Sequence, residues 1–498
     1  MPVSHRTAPV QEEDDHLRSL GYEPELTRRM GGFGNFAVSF SVISVLSGCM
    51  TLFGFGLLTG GPAVMMWGWV GVGLVVLLVG MALAEVTSAY PTSGALYYMA
   101  HRLGGPRWGW ATGWLNLLGL VGGIAGIDYG GANFIAAFAG LQWGTEPTPG
   151  LILAIFATIL ILHALLNLRG VHVVSILNSV SVWWHLLGVL VIVGALWVVP
   201  SHHQSASFVF GHFANGTGWA NPIYASAIGL LLSQYTYSGY DASAHLSEET
   251  TDAQVAAPRG IVRSIWVSLL AGFVLLAGLL FAVQDYNRTV GAAVPPAQIF
   301  LDALGDNSAK LLLLVVIGAQ LFCGSAETAA ASRMIFAFSR DNALPGSATW
   351  RRVSRNGTPA RAVWLAVVVA FVLALPSLWS TAAYGAVTAV NVIGMTPAYA
   401  IPVFLRLRKG KRFKPGPWNL GRWSRPVGVL AVAWVAVVTV LVCLPQTSPI
   451  TAQTFNYAPI TLVVVLLLSA LWWRMAGRKY SVPVVDDPQM AILEEQVV

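Results

Sequence analysis

The sequence predicts an all-α polytopic membrane protein with 12 transmembrane helices, and three observations carry that prediction. The 498 residues are 55% hydrophobic and only 10% charged, with a mean hydropathy of +0.65, far outside the range of soluble globular chains. Apolar runs long enough to cross a roughly 30 Å hydrocarbon core occur at about residues 35–58, 64–90, 108–139, 150–168, 172–199, 223–247, 261–283, 310–338, 362–379, 384–405, 427–444 and 457–474. The charge is one-sided: with the N-terminus placed inside, only Arg288 and Lys310 of the 28 Lys and Arg fall outside. The positive-inside rule then puts both termini in the cytoplasm. The net charge of +6 is a topology signal, so a nucleic-acid partner is not expected, and the lipid bilayer is the expected surrounding.

Residues 1–34 are polar, with the acidic run Glu12-Glu13-Asp14-Asp15 and no cleavable signal pattern. They read as a mobile cytoplasmic tail. Cys49, Cys323 and Cys443 all fall within apolar spans, so no disulfide framework is implied.

The first span carries Ser44-Val-Leu-Ser-Gly-Cys49 at its middle, and the sixth carries Tyr237-Ser-Gly-Tyr-Asp241. The sixth runs between Pro222 and Glu248 and reaches about 37 Å as helix, so Tyr237–Asp241 lies near mid-bilayer. Irregular backbone at that depth is tolerated only where protein or a water-filled cavity satisfies it, and an intramembrane acid is a functional-site hypothesis by default. If spans 1–5 and 6–10 are inverted repeats, these interruptions occupy corresponding positions and point to a shared binding site.

The second span ends at Glu85 and the Pro91–Gly94 hairpin; Glu85 reads as an interfacial acid capped by a basic loop. In the third span the glycines of Gly122–Gly131 permit close helix packing. Asp128 lies in its outer half, as a cation-binding acid or one facing an outer vestibule. His163 in the fourth span reads as a packing histidine. His185 in the fifth lies deeper, and its side-chain type exchanges protons near neutrality. His202, His203 and His212 sit in an outer loop without carboxylate or Cys partners at ligand spacing, so no metal is expected. Pro295 and Pro296 would start a short helix through Leu304. The eighth span buries Glu327, with Arg333 about two turns nearer the cytoplasm. Gly394 and Pro397 are expected to interrupt the tenth span, and the last two spans are featureless.

Several stretches resemble the amino acid–polyamine–organocation superfamily of transporters, and within it the amino acid/choline branch. These are Leu20-Gly-Tyr22 leading to Phe33–Phe40, Ala84–Gly94, Tyr237–Asp241 through Glu248-Glu249 and Pro258, and Ser332–Asp341 through Leu344-Pro345. The resemblance covers residues 20–475. It implies a LeuT-type five-plus-five inverted repeat plus two C-terminal helices: repeats at 35–199 and 223–405, the extra pair at 427–474, and cytoplasmic tails at 1–34 and 475–498. It further implies alternating access, with substrate held between the broken helices. Ser47, Gly48 and Cys49, beside Ser44, would face a substrate carboxylate, although the fuller Gly-Ser-Gly pattern of the family is missing there. Tyr235 matches the aromatic that gates the outer pathway, followed by Tyr237, Ser238 and Gly239 of the break. Asp241 matches the acidic or amide position after it, able to pair with a substrate ammonium or to titrate. His185 matches the lysine position of proton-coupled relatives, and Glu327 a position where relatives carry a sodium-binding hydroxyl.

The expectation is a secondary transporter of the cytoplasmic membrane importing an amino acid or amino-acid-like amine. The coupling ion is expected to be H+, with His185 and Glu327 as a proton-responsive pair. An exchanger, or a choline, γ-aminobutyrate or polyamine carrier, is the alternative. No cofactor is expected. No His-Glu-x-x-His, nucleophile elbow or phosphate-binding loop favours an enzyme, and a channel would be distinguished by ion conduction. The sequence does not indicate an oligomeric state.

Overall fold

A computed structural model describes residues 8–355, 357–379 and 382–483, and the side chains of 11–355, 357–379 and 385–483. Among the described residues every regular element is helical. Among them, eleven helices are long and apolar enough to cross a membrane. The twelfth expected span, 223–247, escapes that tally because it is broken.

The first span is also broken, into α2 (Gly32–Ile43) and α3 (Val45–Thr51), with Ser44 between them at φ 36°. A short α4 (Phe53–Leu58) follows, then α5 (Gly61–Ala89), α6 (Ala95–Gly104), α7 (Pro106–Trp143), α8 (Pro149–Leu168) and α9 (Val171–Val198). Beyond the small α10 (Ala206–Gly211), the sixth span divides into α11 (Pro222–Thr236) and α12 (Ala242–His245). Gly239 sits in the gap at φ 86°, a conformation open to glycine at little cost. Then come α13 (Ala253–Phe281), α14 (Tyr286–Gly291), α15 (Pro295–Leu304) and α16 (Asp306–Arg340). The last helices are α17 (Ser347–Trp350), α18 (Ala360–Ala374), α19 (Ala382–Lys409), α20 (Ser424–Cys443) and α21 (Ala458–Ala476). The helix expected from Pro295 to Leu304 is α15, with proline in its first turn.

Two expectations are overturned. Helix α19 runs unbroken through Gly394, Pro397 and Pro402. A Cβ on Gly394 would lie 2.4 Å from the Gly119 nitrogen of α7, so this glycine serves close packing of α7 against α19, and neighbouring helices tolerate the prolines. Nor are residues 8–34 a loose tail. Ala8–Ser19 forms α1, and Leu17, Leu20, Tyr22, Leu26 and Met30 are buried beneath the helical bundle. Arg28 ties the segment to the bundle by donating to the Ser247 carbonyl at 3.0 Å and to the Thr250 carbonyl, and it lies 3.3 Å from Glu13 of α1.

Candidate functional site: a cavity between two helix breaks

The breaks in the first and sixth spans face each other. A Cβ on Gly48 would lie 2.6 Å from the Thr236 side chain, and one on Gly239 would lie 2.0 Å from Val42. Between them lies a small cavity, lined among others by Ser47, Gly48, Tyr235, Ser238, Glu327 and Asn391. Ser238 shares its one hydroxyl hydrogen between the Tyr235 carbonyl (2.6 Å) and Asn391 Oδ1 (3.0 Å), while the Asn391 amide donates to the Gly119 carbonyl (2.9 Å). Asn391 thereby ties the sixth-span break to α7 and α19. The Ser47 hydroxyl donates to Gln320 of α16.

Glu327 is the acidic side chain of this cavity. It is 1% exposed, and neither carboxylate oxygen has a hydrogen-bond partner. One oxygen lies where a Cβ on Gly123 would come within 2.4 Å, so that glycine makes room for it. A buried carboxylate left unpaired is costly. Uptake of a proton or a cation by this group relieves that cost.

Four other predicted residues point elsewhere. Tyr237 packs on Trp69 at 4.3 Å between ring centres, away from the cavity. Asp241 is fully buried among inner partners: Tyr399 donates to it at 2.9 Å and Asn116 at 3.3 Å, and His245 Nε2 lies 3.2 Å away. The Tyr399 hydroxyl also accepts from the Gly239 N–H at 2.9 Å, satisfying the exposed backbone at the break. His245 Nδ1 faces the Ser93 carbonyl at 3.1 Å and must donate there. A proton therefore has to sit between Nε2 and Asp241, carried by one or the other. Cys49 is buried at the helix contact, outside the cavity lining.

Ser44, the fourth, is joined to His185. The His185 Nδ1 lies 2.7 Å from the Ser181 carbonyl and its Nε2 lies 2.6 Å from the Ser44 hydroxyl. A carbonyl only accepts, so Nδ1 carries the hydrogen, and in the neutral ring Ser44 donates to Nε2. Ser44 in turn accepts from the Ser47 N–H at 3.2 Å. His185 thus holds the first-span break in place, and no hydrogen bond or ion pair joins it to Glu327. Glu85 meets the basic loop as expected, with Arg406 at 3.1 Å and Ser424 donating to it.

At one end a vestibule with about 1030 Å³ of open volume reaches down to Tyr235. Tyr235 lines both this vestibule and the inner cavity, and so separates them. At the other end the pathway is sealed. Arg333 and Glu249 form a two-bond pair at 2.8 and 3.0 Å, both side chains 0% exposed. Arg340 and Glu248 form another at 3.0 and 2.9 Å, and the Ser93 N–H adds a bond to Glu248 at 2.9 Å. Tyr22 and Tyr97 donate to Asp341 at 2.8 and 2.9 Å. The stretches that carried the resemblance converge on this seal.

Broken helices around a cavity, a partition toward an open vestibule and a charged seal opposite form a transporter-like arrangement. The sequence profile described as "Amino acid permease" matches residues 30–466. The chain belongs to the amino acid permease family. It is similar to the amino-acid permease BAT1 of Arabidopsis thaliana, 39% identical over 93% of this chain and 94% of that protein. Its likeness to the BAT1 homolog of Oryza sativa subsp. japonica has the same identity and coverage. The GABA-specific permease of Saccharomyces cerevisiae is 31% identical over 93% of this chain and 84% of its own length.

Sequence reasoning missed Asn391, Tyr399, Asn116 and His245 in this permease. Asn391 and Tyr399 were accessible as polar groups inside an otherwise apolar span. Asn116 and His245 gain their meaning only from the partners that the fold brings to them.

Proposed function

We propose that this permease is a secondary active transporter that imports an amino acid or amino-acid-like amine across the cytoplasmic membrane by alternating access, driven by protons. The observation that carries the proposal is Glu327: a buried carboxylate, without partners, in a cavity between two helix breaks. A substrate ammonium placed there makes a charge-assisted contact where an empty site leaves none. The amino acid and γ-aminobutyrate specificities named for its relatives fit such a site.

Alternating access draws support from the asymmetry of the two ends. The vestibule leads to Tyr235 while paired salt bridges seal the basic end; import requires Tyr235 to close and the seal to open. The facing breaks support a five-plus-five inverted repeat, in which α2 to α9 and α11 to α19 are the halves. The concentration of Arg and Lys at the sealed end supports a cytoplasmic placement of that end.

Purified protein in proteoliposomes, given labelled γ-aminobutyrate or alanine under an imposed pH gradient with and without sodium, tests the proposal. Accumulation that follows the pH gradient and ignores sodium is expected. Sodium dependence with no response to pH would refute proton drive, and uptake only against preloaded substrate would identify an exchanger.

A further inference from the structure

A second buried acid lies one helical packing layer from Glu327. Asp128 of α7 is 1% exposed and His163 of α8 is 0% exposed. Asp128 Oδ2 and His163 Nδ1 are 3.0 Å apart, while Asp128 Oδ1 and His163 Nε2 have no hydrogen-bond partner. With Nδ1–H donating to the carboxylate, both open atoms are lone-pair acceptors. The pair then carries one net negative charge in a buried place.

Among the described residues no Lys or Arg is paired with it. From α16 it faces Cys323 and, beyond, Glu327; on α7 itself Tyr129 is adjacent; Asp241 acts on Glu327 from the inner side. The two acids are built reciprocally into one interface. A Cβ on Gly324 of α16 would come within 1.8 Å of Asp128 Oδ1, and one on Gly123 of α7 within 2.4 Å of Glu327 Oε1. Each helix offers a glycine to the other's carboxylate, so neither acid has room to turn aside. By contrast, Asp241 and His245 have their oxygens and nitrogens engaged.

We propose that Asp128 and His163 bind the transported proton, while Glu327 takes the substrate ammonium. This rests on the proton-driven reading above and assigns its site. Tyr129, the next residue after Asp128, lines a cavity at the vestibule. The proton forms an N–H bond at His163 Nε2 or an O–H bond at Asp128 Oδ1, and the same bond breaks when the site faces the other side. Both acids are already buried, and buried unpaired charge is costly. The occluded state is therefore reached readily only with the proton on one acid and the ammonium on the other. That requirement couples the two fluxes.

The test compares wild type, Asp128→Asn and His163→Gln in proteoliposomes, using whichever of labelled γ-aminobutyrate or alanine the wild type transports. Two quantities are read: accumulation under a gradient of one pH unit, and counterflow at equal pH. One proton per substrate gives about tenfold accumulation for one pH unit. In each variant the ratio of accumulation to counterflow is expected to fall by up to about that factor, and counterflow to lose its pH dependence. A variant that accumulates as wild type does overturns the site and leaves proton drive intact. A wild type blind to the gradient overturns the proton-driven reading, and the site with it. Loss of counterflow together with accumulation in both variants, in protein that is monodisperse and still shifted in melting by substrate, also overturns the assignment, since these residues would then serve the substrate cycle itself.

Discussion

Replacing Glu249 by Gln should open the sealed end. In the structure Arg333 and Glu249 share two hydrogen bonds at 2.8 and 3.0 Å, with neither side chain exposed. Two unit charges about 4 Å apart attract by about 4 kcal/mol at an effective dielectric of about 20. Removing one member of a buried pair costs about 3–5 kcal/mol, because the remaining charge is stranded. When the seal opens, water reaches Arg333 and most of that penalty disappears. The substitution therefore weighs against the sealed state alone, and 3 kcal/mol corresponds to about a 150-fold shift in the ratio of sealed to open forms. A reporter cysteine, Ser247→Cys, in a Cys443→Ser background reads this shift. Ser247 is fully buried in the seal, as are the remaining Cys49 and Cys323. A water-soluble maleimide should label the reporter much faster when Glu249→Gln is added. Labelling within twofold of the parent, in protein that still binds substrate, would show that the pair does not hold the seal.

Three further outcomes follow from the geometry. Glu327→Gln removes a charge-assisted contact worth about 1.5–3 kcal/mol, so substrate affinity measured by thermal shift should weaken about 10–100-fold. Affinity unchanged by this substitution would remove Glu327 from the ammonium site. Ser44→Ala leaves His185 Nε2 without its partner, a loss of about 1–3 kcal/mol that should lower the unfolding midpoint; an unchanged midpoint would mean the break is held otherwise. Asp341, just beyond α16, is pushed up to about 7 from an ordinary 3.8, chiefly by burial and against the pull of Arg340, Tyr22 and Tyr97. The folded state then binds a proton that the unfolded chain has released, so stability falls as pH rises through that window and levels off above it. Melting in detergent should drop between pH 6 and pH 8 in wild type, and by clearly less in Asp341→Asn.

The parts of this molecule that were legible in the sequence are those where a residue type conflicts with its depth. Glycine, serine and aspartate in the middle of apolar spans exposed both breaks, because nothing in a bilayer tolerates loose backbone without a reason. The same logic misjudged Gly394, whose purpose is the 2.4 Å approach of Gly119 and not a break. Polarity misled in residues 8–34, where Arg28 and a few apolar side chains fold the segment onto the bundle. Asp241 was placed at the right break but turned the wrong way. Its direction is set by Tyr399, Asn116 and His245, which lie on three different elements. His163 was read as packing and Asp128 left open; the fold sets their side chains 3.0 Å apart, a pairing that neither residue announces alone.

The cavity itself constrains what passes through it. The residues that resemble the superfamily gather at the seal and the breaks, so they speak to how the carrier moves and little to what it carries. Selectivity falls to the walls supplied by α7, α16 and α19, among them Ile127, Glu327 and Asn391. The single carboxylate in the lining matches one ammonium; a polyamine would leave further cationic groups buried without partners, at a cost of several kcal/mol each. Competition against labelled substrate should therefore rank γ-aminobutyrate or alanine well ahead of spermidine. Spermidine competing equally would mean that the vestibule beyond Tyr235 takes part in binding, and that the chemistry of the inner cavity alone does not set the substrate.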